Sequence, residues 1–403
     1  MILTCLSGCS SEKQAESADN SEPSLEKIAD NLYETTYTGD FDWEYAATAE
    51  LSGVSCSGVQ NGQYRGRNYD WMYADTDLCI VHTTVTENRP HASVGVSDMS
   101  FALNEDGSYN RALLPFTTVD GINDAGVCIQ VNVLPYGENG TISHTDTTED
   151  DLAGTNLNRY VLDYADSVED ALTLLKAKDI HSEMGTAEEL HWMISGPASK
   201  NDSTIKTVVV EAFPDGLHVT EKFIDDKPIM TNFNVSNFDG TADTIGIGAG
   251  YERWQILDEY YDQANSVMGT FDLMEKVFFS KMYDVYGDRF WYSEYNGTDL
   301  ANIYDAETLK SILGEDTYNF YMENYGGVYY TSALWDGETV INGDYSKAGI
   351  LADVVERVTE KYNAQAKDGG LWITVHTSVY DLENLTLDMQ VRESQDHLHF
   401  TID

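Results

Sequence analysis

The amino-acid sequence predicts an α+β fold, in which sheets are covered by helices. Strand-like segments dominate both ends of the chain, and helical segments occur in blocks between them. No βαβ unit repeats, and no coiled-coil heptads or internal repeats are evident. Apolar residues make up 42% of the 403 residues, which is enough for a sizeable core. No linker is evident after residue 50, so one large domain is the simplest interpretation.

The charge balance of the chain is extreme. It contains 69 acidic and 23 basic residues, which give a formal net charge of −46. Such a chain is repelled by nucleic acids and by anionic lipids, so neither is expected as a partner. The simplest reading of the acidity is a solvated surface suited to a salty or extracellular setting.

The first residues have the form of a bacterial lipoprotein signal. Leu6-Ser7-Gly8-Cys9 resembles a lipobox, in which the cysteine becomes lipid-modified. The apolar stretch before Cys9 is short and has no Lys or Arg, so residues 1–9 are interpreted as a truncated signal. Residues 10–55 are expected to form a tether and prosegment, and residues 56–403 the main domain. No later apolar run is long enough to span a membrane.

The cysteines divide into two kinds by their surroundings. Cys79 and Cys128 lie in apolar runs and are expected to be buried strand thiols, whereas Cys56 has polar, charged neighbours. Cysteine spacing fits neither a zinc site nor a disulfide framework. There is no metal-binding His-Glu-x-x-His, phosphate loop or dinucleotide motif, so no metal or cofactor is expected. His191 and His376 are interpreted as core or surface residues rather than ligands.

Residues 54–71 predict a β-hairpin with a tight turn at Asn61-Gly62, a dipeptide that accepts positive φ angles. Cys56 lies on the first strand, and Arg67 and Asp70 lie on the second. The hairpin therefore brings a thiol, a guanidinium and a carboxylate to one end.

The rest of the chain predicts further strands and helices. A short helix is expected over 25–36, and a long loop over 136–155. The expected strands are 78–86, 92–97, 126–134, 190–195, 206–212, 216–223, 229–232, 372–380, 385–392 and 397–402. The expected helices are 156–164, one capped by Ser167, 252–263, 271–283, 306–313 and 347–362.

A set of short motifs follows one another from Cys56 to the C-terminus. They are Cys56 itself, Gly66-Arg-Asn-Tyr-Asp70-Trp, Gly126–Asn132, Leu190-His-Trp-Met-Ile, Val208-Val-Val-Glu211, Asp215-Gly-Leu-His-Val, Met230-Thr-Asn232, Glu252-Arg253-Trp and Ser378-Val-Tyr-Asp381. Each motif alone is weak. In this order the set resembles the choloylglycine hydrolase family of linear amide C–N hydrolases. These are N-terminal-nucleophile enzymes that include bile salt hydrolases, penicillin V acylases and relatives of acid ceramidase.

The resemblance implies a four-layer αββα sandwich and hydrolysis of non-peptide C–N bonds in linear amides. The thiol of Cys56 would attack to form a thioester, and its own α-amine would handle the proton. Such an amine titrates at about 7.7–8.0, so much of it is unprotonated at neutral pH. Because Cys56 is internal, the Ser55–Cys56 bond would first have to be cut by the same thiol. About fifty residues precede Cys56, as in acid-ceramidase-like members.

The resemblance also implies roles for five other residues. Arg67 would lie beside the sulfur, and Asp70 would accept a hydrogen bond from the amine or the thiol. Asn232 would donate to the tetrahedral oxyanion, Asn132 would contribute from the facing strand, and Arg253 would complete the polar site. From the residues alone, Cys56 could instead be a buried strand cysteine, Arg67 and Asp70 a surface ion pair, and Asn232 a turn residue. The proline that usually follows the family's asparagine is missing after Asn232.

Several alternatives remain open at this stage. The chain could be a dipeptidase or an acyltransferase of the same superfamily, or a non-catalytic binding protein anchored by lipid. The substrate would be a small amide such as a bile salt, penicillin V, an acyl-homoserine lactone, or an N-acyl amino acid or ethanolamine. The expected location is the bacterial cell envelope, anchored at Cys9 or released after processing, with the cytoplasm as the alternative. A membrane is a partner only through the anchor, and a homo-oligomer is open.

Overall fold

The computed structural model describes residues 23–43, 55–71, 76–104, 106–134, 151–181, 189–245, 250–279, 281–282 and 373–402, with single positions between 306 and 322. The strands are β1 (Glu26–Ala29), β2 (Leu32–Tyr37), β3 (Ser55–Asn61), β4 (Tyr64–Trp71), β5 (Leu78–Thr83), β6 (Ser93–Asp98), β7 (Thr118–Asn123), β8 (Cys128–Leu134), β9 (Asp151–Ala153), β10 (Asp179–His181), β11 (Glu189–Ser199), β12 (Asp202–Phe213), β13 (Gly216–Thr220), β14 (Ile229–Met230), β15 (Ile373–Asp381), β16 (Thr386–Val391) and β17 (His397–Thr401). The α-helices are α1 (Leu157–Tyr164), α2 (Val168–Lys176), α3 (Tyr251–Glu259) and α4 (Val267–Glu275).

Two large sheets form the body of the described structure. Sheet A has nine strands in the order β1-β2-β5-β6-β7-β8-β11-β12-β13, and sheet B has six in the order β14-β3-β4-β15-β16-β17. Nearly all neighbours are antiparallel, but β2 and β5 run in parallel. Strands β9 and β10 form a small parallel pair. The largest hydrophobic cluster draws residues from both sheets, so the core lies between them.

Side-chain alternation along the strands shows how the layers stack. Arg67 of β4 faces Asp120 of β7, so these two side chains lie between the sheets. Their neighbours point the other way. A Cβ added to Gly66 would lie 2.7 Å from Thr270 of α4, and one added to Gly121 would lie 2.7 Å from Leu162 of α1. The order is therefore helix, sheet A, sheet B, helix, which confirms the expected αββα sandwich.

The central hairpin is confirmed, with a small shift in its turn. Strands β3 and β4 pair from Ser55↔Asp70 to Asn61↔Tyr64, so the two turn residues are Gly62 and Gln63. Gly62 has a φ of 55°, a left-handed conformation that glycine adopts without steric cost. Cys79 and Cys128 are buried free thiols on strands, as predicted. Strand β7 was not predicted from the sequence.

The helix expected over 25–36 is wrong, because this segment forms the hairpin of β1 and β2. Asn31 has a φ of 55° in the turn between the two strands. The sequence of β2 is rich in threonine and tyrosine, which favour strands. Pairing with β5, from Leu32↔Leu78 to Tyr37↔Thr83, fixes the segment at the edge of sheet A.

Residues 23–43, called here the N-terminal segment, are therefore packed on the main domain although they lie within the expected tether and prosegment. Leu32 is fully buried, and Asn31 Nδ2 donates to Asp77 Oδ1 at 2.9 Å. The indole of Trp43 packs edge-on against Phe116, with ring centroids 5.2 Å apart. Strand pairing and aromatic packing both hold the segment without help from the covalent link to residue 55.

Other predicted segments differ at their ends or lie outside the described residues. Helices expected at 252–263 and 271–283 appear as α3, followed by a 3-10 turn, and as α4. Most of the loop at 136–155, the tether before residue 23, and the helix at 347–362 fall outside the described residues, as does all but three positions of the helix at 306–313. Within the part of the chain that is described, no helix combines the length and apolarity needed to cross a membrane.

The packing of the N-terminal segment predicts that it stays bound after the chain is cut. A protease site introduced between residues 43 and 55 should yield two pieces that elute together in size-exclusion chromatography under native conditions. In the control Leu32→Asp, which buries a charge in the strand, the segment should separate from the body after the cut. Separation in the cut protein without this substitution would contradict the prediction.

Candidate active site

Cys56 lies on β3 with its thiol between the two sheets, and it is fully buried. It pairs across the hairpin with Tyr69, so the side chains of Cys56, Tyr69 and Arg67 share one face of sheet B. Arg67 Nη2 lies 3.4 Å from Cys56 Sγ. The guanidinium therefore lies beside the sulfur, as the resemblance implied.

The Arg67 guanidinium is shared between this thiol and sheet A. Nη1 donates to Asp120 Oδ2, and Nη2 donates to the carbonyl of Val131 at 3.0 Å. The guanidinium carbon also lies 4.8 Å from the centroid of the Tyr69 ring. Arg67 is 1% exposed and Asp120 is 0% exposed, so this ion pair depends on protein groups rather than water to satisfy it.

Asp120 is the acceptor on which the cluster converges. Three residues on one face of β15 also donate to it: His376 Nε2 at 3.0 Å, Ser378 Oγ at 3.0 Å and the Tyr380 hydroxyl. Burial by itself would raise the pKa of Asp120, but Arg67 and His376 lower it below its ordinary range. Asp120 is therefore a carboxylate that ties sheet A to two strands of sheet B.

The remaining charges around the thiol are balanced. Burial lowers the pKa of His376, and Nδ1 of this ring has no hydrogen-bond partner among the described residues, so a neutral ring protonated on Nε2 fits. Arg67 and Asp120 then compensate each other. Burial raises the pKa of the Cys56 thiol to about 11, although Arg67 opposes the rise. In the uncut chain, Cys56 is a neutral thiol at pH 7.

The backbone of Cys56 is bound by a second polar group. Its N–H donates to Asn232 Oδ1 at 3.0 Å, and its carbonyl accepts from Arg253 Nη1 at 2.5 Å. Arg253 also donates to Asn232 Oδ1 at 2.7 Å and to Ser57 Oγ at 2.7 Å. Asn232 and Arg253 are thus linked to each other and to the peptide groups on both sides of Cys56.

The absence of a side chain at Gly250 leaves space for the guanidinium of Arg253. This residue precedes α3 with a φ of 89°, in the left-handed region that favours glycine. A Cβ at this position would lie 2.7 Å from Arg253 Nη2 and 2.7 Å from Thr231. The start of α3 can therefore approach the site only because the residue before the helix has no side chain.

Asp70 lies three residues from Arg67 and so on the opposite face of β4. Its Oδ1 accepts from Thr374 Oγ1 at 2.6 Å, and its Oδ2 lies 3.8 Å from Arg253 Nη1. Asp70 also pairs in register with Ser55, the residue before Cys56. The hairpin therefore brings Arg67 and Asp70 to one end, as predicted, but on different faces.

Asn132 is directed at the backbone that precedes Asn232. Its Nδ2 donates to the carbonyls of Thr231 at 3.0 Å and Met230 at 3.5 Å, and its Oδ1 accepts from Gln130 Nε2 at 2.9 Å. It belongs to the facing sheet, as expected, but its amide hydrogens are engaged with this backbone rather than aimed at the thiol.

Sequence reasoning missed Asp120, and it treated His191 and His376 as unremarkable. Both histidines are buried, and each lies against a carboxylate, His191 on Glu211 and His376 on Asp120. A signal for Asp120 was present. It is a lone carboxylate inside Thr118-Val-Asp-Gly-Ile, a segment of strand-forming residues, and such a carboxylate needs a buried partner.

Fold and site together define a two-sheet α+β protein centred on a buried cysteine. Residues 52–243 of the chain match the family described as linear amide C–N hydrolases, choloylglycine hydrolase family. The matched segment contains Cys56, Arg67, Asp70, Asn132 and Asn232. The match covers just under half of the chain, and it is to the family that the motifs of the sequence resemble.

Solved structures and curated proteins were also compared. A mutant of the conjugated bile acid hydrolase from Clostridium perfringens is 16% identical, with a TM-score of 0.41 over 86% of this chain and 92% of that chain. Another variant of that hydrolase is 15% identical, with a TM-score of 0.40 and the same coverage. Penicillin V acylase from Agrobacterium tumefaciens is 13% identical, with a TM-score of 0.32 over 86% of each chain. No curated protein matches the sequence.

Asp120 is expected to contribute strongly to stability. Asp120→Ala should lower the free energy of unfolding by about 3–5 kcal/mol, because it leaves Arg67 buried without a counter-ion. Urea unfolding at pH 7 measures this change. The control Asp388→Asn removes a pair with the exposed His399, and it should cost less than about 1 kcal/mol. Equal effects of the two substitutions would contradict the assignment.

The same carboxylate should make stability fall in acid. The pKa of Asp120 in the folded protein is below its unfolded value of about 3.9. Its contribution is therefore complete above that pH and is lost as the pH falls toward the folded pKa. Below about pH 4 the wild-type protein should lose stability more steeply than Asp120→Asn. Parallel pH profiles for the two proteins would contradict this.

Proposed function

We propose that this protein is a linear amide C–N hydrolase, that the thiol of Cys56 is its nucleophile, and that cleavage of the Ser55–Cys56 bond activates it. One observation carries the proposal: separate polar partners meet the different atoms of one residue. Sγ lies beside Arg67, the N–H binds Asn232 and the carbonyl binds Arg253. A cysteine that only filled the core would need no such set, because a buried thiol behaves as a small hydrophobe.

Activation begins with the thiol acting on the carbonyl carbon that precedes it. The C–N bond between Ser55 and Cys56 breaks, the nitrogen takes the thiol proton, and the acyl group passes to sulfur. Water then hydrolyses this thioester, which leaves a carboxylate on Ser55 and a free thiol and α-amine on Cys56. Asn232 Oδ1 accepts from Cys56 N in the uncut chain, so it is placed to hold the new amine.

The new amine supplies the base that the uncut site lacks. Its pKa of about 7.7–8.0 lets it accept the thiol proton near neutral pH as sulfur attacks the substrate carbonyl. It then returns the proton to the leaving amine as the C–N bond breaks. The acyl group remains on Cys56 as a thioester until water releases it as an acid. Arg67, 3.4 Å from the sulfur, stabilises negative charge there.

Asn232 is assigned to the tetrahedral oxyanion. Its Nδ2 donates to the carbonyl of Val133 at 2.7 Å and its Oδ1 contacts Cys56, so the side chain is fixed to both sheets beside the reacting residue. Loss of one such donor typically slows turnover by about 10²–10³. Asn132 is assigned to holding the peptide before Asn232, which replaces the direct contribution expected from the sequence. Asp70 is assigned a place beside the new amine. It pairs in register with Ser55, whose peptide bond to Cys56 is cut to form that amine.

The location of the protein is proposed on sequence grounds. Lipidation at Cys9 would hold it at the cell envelope, and residues 1–22 lie outside the described residues. After cleavage before Cys56, the packing of the N-terminal segment would link the anchor to the hydrolase without a covalent bond. Release or retention at the membrane would then depend on that packing.

Replacement of Cys56 tests the nucleophile. Wild-type protein should hydrolyse members of a panel of N-acyl amides in preference to dipeptides, and Cys56→Ala should show no turnover because the thioester cannot form. The control Cys79→Ala removes another buried thiol, on β5, and should keep its activity. Turnover by Cys56→Ala would contradict the assignment of Cys56 as the nucleophile. Preference for dipeptides would favour the dipeptidase alternative, and binding without hydrolysis would favour a binding protein.

A further inference from the structure

The segment that carries Asn232 is fastened to sheet A at both ends. It comprises residues 231–236, follows β14, and is called here the Asn232 loop. Asn232 leaves the loop to contact Cys56, so its position depends on how the loop backbone is held. The groups that hold it are buried side chains on the strands of sheet A.

At the first end, the carbonyl of Thr231 accepts two hydrogen bonds. One comes from His191 Nε2 at 2.9 Å and the other from Asn132 Nδ2 at 3.0 Å. These donors come from β11 and β8, which are neighbours in sheet A. The carbonyl lies directly before Asn232, so its direction largely fixes where that side chain starts.

At the second end, Glu211 on β12 binds the loop backbone with both carboxylate oxygens. Oε1 accepts from the N–H of Val235 at 2.6 Å, and Oε2 accepts from the N–H of Ser236 at 3.0 Å. Burial by itself would raise the pKa of Glu211, but His191 and the Ser236 hydrogen bonds lower it below its ordinary value. A charged acceptor makes stronger hydrogen bonds than a neutral one.

His191 and Glu211 also join the two ends of the loop. They are directly paired residues on β11 and β12, both fully buried, with His191 Nδ1 3.4 Å from Glu211 Oε1. A buried polar pair of this kind is a costly way to stabilise a sheet, since two apolar residues would often serve as well. The hydrogen bonds between this pair and the Asn232 loop indicate instead that the pair holds the loop in place.

We propose that His191 and Glu211 are positioning residues that hold Asn232 against Cys56 for catalysis. Neither residue contacts Cys56 among the described contacts; both act through the loop backbone. This inference rests on the proposed function, because it assigns the pair to the same transition state. Errors of about 1 Å in such a donor reduce rates strongly.

The test is Glu211→Gln, which keeps the shape but sets an NH₂ group against a backbone N–H. We expect kcat to fall at least about tenfold while KM changes by less than about twofold, since the donor acts in the transition state. Hydrogen exchange at the amides of Val235 and Ser236 should accelerate. His191→Gln keeps a donor for Thr231 and should give a smaller loss of kcat, which provides a second variant.

The matched control is Asp163→Asn. Asp163 is a buried carboxylate on α1 that pairs with Arg159 at 2.6 Å, away from the Asn232 loop. It should alter stability while leaving kcat and the exchange of the loop unchanged. Wild-type kcat in Glu211→Gln, or unchanged exchange at Val235 and Ser236, would overturn the positioning role. Absence of amide hydrolysis in the wild-type protein would overturn the proposed function instead, and the exchange measurement would still decide how the loop is held.

Discussion

The guanidinium of Arg67 is the contact on which the site depends. It reaches from sheet B to Asp120 of sheet A and leaves one nitrogen beside the sulfur of Cys56. A planar group with several donors can serve both partners at once, which a lysine could not do in this geometry. Burial raises the pKa of the Cys56 thiol to about 11, and the nearby Arg67 opposes only part of that rise. In the uncut chain the residues of the site are therefore already in contact, but the thiol of Cys56 stays protonated at neutral pH.

Strand alternation divides the chemistry into two halves. Between the sheets, Arg67 and Asp120 act on the sulfur of Cys56. The backbone of the same residue is bound by Asn232, from the loop that follows the edge strand β14, and by Arg253 of α3. Cleavage before Cys56 would change a peptide nitrogen into an amine while every other partner kept its place. One covalent change would thereby complete a site that folding had already arranged.

The sequence predicts best the parts of this arrangement that depend on local pairing. The turn and alternating residues of the hairpin place Cys56 and Arg67 on facing strands, and the ordered motifs resemble the family whose model matches residues 52–243. Asp120 was missed because its role arises from contact between two sheets whose strands are far apart in sequence. The strand at 32–37 was mistaken for a helix because pairing with β5, not local propensity, decides its structure. The role of Asn132 could not be predicted from local sequence, because it depends on the path of the backbone at Met230 and Thr231.

The proposed mechanism requires that Cys56 becomes the N-terminus of the active protein. The most direct measurement is the intact mass of purified, active wild-type protein, with the N-terminal sequence of each fragment and with Cys56→Ala as the uncleavable reference. A large fragment that begins at Cys56 in the wild-type protein, together with an uncut Cys56→Ala chain, is the predicted result. Full amide hydrolysis by a chain in which Ser55 remains joined to Cys56 would contradict the proposed activation by cleavage.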